Sequence, residues 1–158
     1  MPGDDWVIAD EAYLAQMVGL VSESVGDEEL QEAFQKSGVA FDFLSVCIND
    51  NSSVNVVLED LGIAYGGIIS ADTILKAGKD TILRTMESQG YTNATSELSK
   101  TVFLGKEQNC LSSNGELQGN KIYQMQVVVK EGRYLATITA TTFGEDNTAD
   151  LIARFVEP

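Results

Sequence analysis

At 158 residues, with 44% apolar and 22% charged side chains, the chain has the size and composition of one globular domain with a real core. Its formal net charge of −14, from 24 acids against 10 scattered bases, argues against nucleic acid or anionic membrane surfaces as partners. With no histidine, Ser-His-Asp and Cys-His nucleophile systems and His-containing zinc sites are excluded, and any chemistry falls to Asp, Glu, Lys or Tyr.

Trp6-Val7-Ile8-Ala9 is a short apolar run that reads as the end of a strand. No basic, apolar leader precedes it, a state that a mature secreted protein would share. Asp10 is placed to cap a helix through Met17, with Tyr13, Leu14, Met17 and Val18 on one face. Gly26-Asp27-Glu28-Glu29 opens a second helix that buries Leu30, Ala33 and Phe34 and stops before Gly38. Phe41 to Ile48 alternates, with Leu44, Val46 and Ile48 on one face and Phe41, Phe43 and Cys47 on the other. Across the polar turn Asn49-Asp50-Asn51-Ser52, Ser53 to Glu59 resumes as a strand, the signature of an antiparallel hairpin. Leu61 to Ile69 is a glycine-rich connection.

Ser70 or Asp72 caps the longest helix, which ends before Gly90. Ile74, Leu75, Ile82 and Met86 form its stripe, Gly78 sits at a close-packing position, and Lys76, Lys79, Arg84 and Glu87 face solvent. The period then changes. Thr92 to Ser99, Thr101 to Leu104, Gln108 to Leu117, Ile122 to Lys130 and Tyr134 to Phe143 suit strands, punctuated by Gly105, Asn114-Gly115, Gly119-Asn120 and Glu131-Gly132. A short helix with Leu151, Ile152 and Phe155 closes the chain. Helices early and late around a meander predict an α+β fold in one domain spanning residues 1–158, a twisted, mainly antiparallel sheet flanked by helices.

The stretches "DWVIAD", "SVNVVLEDLG", "MESQGYTN", "KTVFLGKEQN", "GNKIYQMQVVVKEGRYLATITATT" and "TADLIARF" together resemble small secreted or lipid-anchored proteins of gut Firmicutes. These have the PsbP-like α/β/α sandwich, shared with periplasmic DcrB-like and mycobacterial LpqN-like lipoproteins. The resemblance covers nearly the whole chain and rests on structural rather than chemical motifs. It implies an extracytoplasmic protein, secreted or anchored at the cell surface. Relatives begin with an aromatic strand ahead of the Asp-Trp that stands here as Asp5-Trp6, so that strand has been trimmed or this member lacks it. Either way, the resemblance implies an open sheet edge that invites a homodimer.

Local chemistry offers few sites. Asp146, Asn147 and Thr148 stand where a helix cap belongs, and the calcium-loop spacing is missing. Asn49-Asp50-Asn51 has the residues of a hairpin turn. Glu59 and Asp60, as strand neighbours, point to opposite faces and are poorly placed for joint acid–base work. Cys47 and Cys110 are more in keeping with buried free thiols than with a disulfide, although spacing alone leaves pairing open. The loop from Gly62 to Ile69 carries Ile63, Tyr65 and Ile68; core closure is its commoner use, and a contact surface its functional one. No cofactor, metal or catalytic set is expected. These observations lead to a non-enzymatic, extracytoplasmic binding or protein-interaction domain without membrane insertion. The alternative is a small-molecule or lipid carrier whose apolar pocket, between sheet and helices, is lined by Phe41, Phe43, Tyr123 and Tyr134.

Overall fold

A computed structural model describes residues 5–10, 40–63 and 67–156. Among these residues seven strands form one open antiparallel sheet: β1 (Trp6–Ile8), β2 (Ala40–Cys47), β3 (Ser53–Asp60), β4 (Thr92–Phe103), β5 (Lys106–Leu117), β6 (Asn120–Glu131) and β7 (Tyr134–Phe143). Their spatial order is β1-β2-β3-β7-β6-β5-β4, every neighbour antiparallel. The fold is therefore α+β. Helix α1 (Ala71–Ser88) leaves β3 and crosses one face of the meander to reach the far edge strand, packing on β4, β5 and β6. Helix α2 (Thr148–Ala153) follows β7 and packs against β4, β6 and β7. The two helices lie on opposite faces, and the strict alternation of strand side chains supplies both with a floor. Leu111, Val128 and Leu135 pack with Leu75 of α1, while Val54, Phe103, Cys110, Met125, Val127, Ile138 and Ala140 pack with Leu151 and Ile152 of α2.

Local chemistry fixes the ends of α1. The Ser70 hydroxyl accepts the Thr73 N–H, and Asp72 lies in the first turn where the helix dipole favours an acid. At the other end Gly90 has φ +86°, the Gly90 N–H reaches the Glu87 carbonyl, and the Tyr91 N–H reaches that of Met86. This is a Schellman stop, and the left-handed residue it requires is the glycine anticipated there.

Elsewhere the structure departs from the local pattern. Asn114-Gly115 is not a turn; it lies inside β5, where an added Cβ on Gly115 would fall 2.8 Å from Met86 Cε and 3.3 Å from Tyr91 Cβ. The glycine lets the last turn of α1 rest on the strand. Thr92–Phe103 is one continuous edge strand rather than two, since Ser99, Lys100 and Thr101 all pair with β5. The alternation expected of Phe41 and Phe43 also breaks. Phe41 pairs with Val57 and Phe43 with Val56, so a bulge at Asp42 puts the two phenylalanine positions in register with opposite faces of β3. Cys47 and Cys110 are both free and buried. They sit on β2 and β5, four strand spacings or roughly 19 Å apart, far beyond the reach of a disulfide. The two helices expected between Asp10 and Gly38 lie outside the described residues.

Candidate functional site

Among the described residues, α2 covers only part of its face of the sheet. Seven strands span roughly 29 Å. Helix α2, with six residues, is only about 9 Å long. It packs on β4, β6 and β7, and among the described residues no helix packs on the β1–β3 side. Cross-strand register places Phe43, Val56, Ile138, Val127 and Cys110 in one row, and Ser45, Val54, Ala140 and Met125 in the next. The inner members of both rows form the core beneath α2. The outer members, Phe43, Ser45, Val54 and Val56, form the floor of a groove of about 350 Å3.

Trp6 makes one side of the groove, and Leu151, Arg154 and Phe155 of the α2 segment make the other. Phe155 is held in place by Phe103, with ring centroids 5.5 Å apart. The Ser45 hydroxyl on the floor donates to the Val7 carbonyl at 3.3 Å, so the interior has an apolar lining with its polar atom satisfied. Asp42 and Arg154 are exposed charges on the rim. Asp42 and its neighbour Phe43 both border the groove because the bulge suspends the usual alternation. Volume and lining fall in the range of small-ligand sites.

The aromatic residues singled out from sequence do not converge. Phe43 lines this groove. Tyr123 borders a separate, polar depression with Asn93, Asn114, Gly115, Glu116 and Lys121. Tyr134 is 57% exposed at the start of β7, where Arg133 lies 5.1 Å above its ring and donates to its hydroxyl. The side chain of Phe41 lies outside the described residues. Apart from Phe43, every lining residue was missed by sequence reasoning, the apolar ones being Trp6, Val54, Val56, Leu151 and Phe155. Their periodicity reads as core, and only the meeting of separate segments beside the short α2 makes them groove lining.

The contact loop is partly visible. Ile63 and Ile68 are 88% and 82% exposed rather than closing the core, and Tyr65 lies outside the described residues. The other polar candidates are structural. In the acidic turn after β7, Asp146 accepts the Thr148 N–H at 3.2 Å and its hydroxyl at 2.6 Å, while Thr142 donates to the Glu145 carbonyl at 2.8 Å. The N-cap residue Asn147 makes no side-chain capping bond, so the capping falls to Asp146, one position earlier. Asp50 accepts the Ser52 N–H at 2.9 Å, and this backbone bond holds its carboxyl below the usual range. Asp60 accepts the Gly62 N–H and pairs with Arg133 at 2.9 Å. Burial pushes the Cys110 thiol up, away from reactivity. Among the described residues no group of three acidic or cysteine side chains is arranged to hold a metal.

These features define a class of protein: an open antiparallel sheet between helices, with an apolar groove on one face. No family model matches the sequence, and no curated protein sequence is similar to it. Among solved structures, the protein is similar to LpqN, described as involved in cell envelope biogenesis of Mycobacterium tuberculosis. The TM-score is 0.52 at 14% identity, over 100% of this chain and 82% of that one. The likeness is one of fold. No helix among the described residues is long and apolar enough to cross a membrane.

Proposed function

We propose that this chain is a non-catalytic, extracytoplasmic binding domain of a bacterial envelope protein, secreted or lipid-anchored, and that it holds a small apolar ligand in the groove beside α2. The groove is the observation that carries this reading: about 350 Å3 between Trp6 and Phe155, floored by Phe43, Val54 and Val56. The LpqN-like fold, together with the resemblance to the PsbP-like secreted and lipid-anchored proteins of gut Firmicutes, supports the location. The lack of histidine supports a role without acid–base chemistry.

Trp6 is the sole tryptophan in the chain, so the site carries its own reporter. Titration with N-phenyl-1-naphthylamine, a neutral apolar probe, is expected to quench Trp6 emission saturably at one probe per chain. Val56→Phe, which fills the floor, is expected to weaken binding about tenfold while circular dichroism stays unchanged. A linear, unsaturable response, or an unaffected variant, rules the groove out as the site.

A second contact surface supports the interaction reading. Among the described residues the sheet ends on the β1 side with three residues, whereas β4 presents a 12-residue edge with Leu98 and Val102 exposed. Long unpaired edges of this kind accept a further strand, and a second copy is the partner we propose for it.

A further inference from the structure

The groove is apolar inside and carries one acid and one base at its mouth, Asp42 and Arg154. Among the described residues neither has an ion-pair or side-chain hydrogen-bond partner, in contrast to Arg133, which is held by Asp60, and Lys100, which is held by Glu107. Two opposite charges that share one groove without joining each other present separate docking points. The Asp42 carboxylate is there because β2 carries a bulge; in regular alternation Asp42 would turn away from the face that Phe43 occupies. Bulges are costly local irregularities that recur beside binding sites, where they redirect a side chain.

The charges set what the groove tolerates. A singly anionic headgroup would meet Arg154, but also Asp42 and the field of a chain with net charge −14. A singly cationic headgroup would meet Asp42 but crowd the guanidinium. An uncharged headgroup would dehydrate both side chains without offering either an opposite charge. A headgroup carrying both signs satisfies both. Guanidinium geometry matches phosphate oxygens in paired hydrogen bonds, and an alkylated ammonium is attracted to aromatic faces such as Trp6 and Phe43.

Building on the proposal that the groove is a ligand site, we infer that it takes a zwitterionic single-chain amphiphile. Its phosphate faces Arg154, its ammonium faces Asp42, and its hydrocarbon chain lies over Val54, Val56 and Leu151.

The test compares four ten-carbon probes below their micelle-forming concentrations, each read by Trp6 emission: decylphosphocholine, decyl sulfate, decyltrimethylammonium and decyl maltoside. The phosphocholine is expected to bind about tenfold more tightly than the other three. Asp42→Asn is expected to abolish that preference and move the order towards decyl sulfate. Arg154→Gln is expected to move it towards decyltrimethylammonium. Both positions are exposed, so the fold tolerates these changes, with circular dichroism as the check. If the maltoside or a singly charged probe binds as tightly as the phosphocholine, or if neither variant changes the order, the zwitterion assignment is overturned while the groove stands. If no probe shifts Trp6 emission, the groove itself fails as a site, and the inference fails with it.

Discussion

Gly115 shows how one residue sets the distance between layers. It lies in the middle of a strand, where glycine weakens pairing and leaves nothing to pack, yet the last turn of α1 rests directly on it through Met86 and Tyr91. Alanine would displace the flexible end of Met86 and press on Tyr91. A β-branched side chain would force the helix off the sheet. Gly115→Val is therefore expected to destabilise the protein by about 1–3 kcal/mol in urea unfolding, despite valine's higher strand propensity. An unchanged midpoint would show that the close approach is not constraining. By comparison Gly78 is relaxed: an added Cβ there would meet Leu111 at an ordinary 3.5 Å.

At the scale of elements, α2 is too short to be stable by itself and depends on its attachment. Leu151 and Ile152 anchor it to the sheet, and the acidic turn holds its start through Thr142 and Asp146. Removing the cap with Asp146→Ala is expected to cost about 1 kcal/mol, read as a lower urea midpoint. Because Asp146 serves the backbone and Thr148 rather than an ion, calcium is expected to leave the wild-type midpoint where it is. A calcium-dependent rise would turn the acidic turn into a metal site and overturn the capping assignment. The same segment carries one wall of the groove through Leu151 and Phe155, so its seating bears on the groove's shape.

For the whole molecule, the long β4 edge and the large negative charge act against each other. Pairing two β4 strands would extend the sheet across a two-fold axis, but it would bring together two chains of net charge −14. Screening decides the balance, since the Debye length falls from about 30 Å at 0.01 M salt to about 8 Å at 0.15 M. The dimer fraction in sedimentation velocity is expected to rise over that range, and Leu98→Lys to abolish it. A monomer at both salt concentrations would rule out edge pairing.

Much of this architecture was legible in the chain. The Ser70 cap, the Gly90 stop and the alternating runs from Tyr134 to Phe143 and from Ser53 to Glu59 are local signals. They involve only residues within a turn or a strand of one another, so the elements, their antiparallel pairing and the α+β class follow directly. What sequence could not supply depends on residues far apart. Asn114-Gly115 has the composition of a turn, and only the seating of α1 makes it a strand interior. Asp42 looks like an ordinary outward-facing strand residue until the register against β3 reveals the bulge. Trp6, Val56, Leu151 and Phe155 come from four separate segments, each reading as core, and they form a groove where the six-residue α2 meets the β1–β3 side of the sheet. Backbone propensity and periodicity are fixed by near neighbours, so the sequence by itself determined most of the described elements, though not the unbroken run of β4 or the strand interior at Gly115. Which segments meet is settled by contacts across the whole fold, so the tertiary structure alone decided where the groove forms.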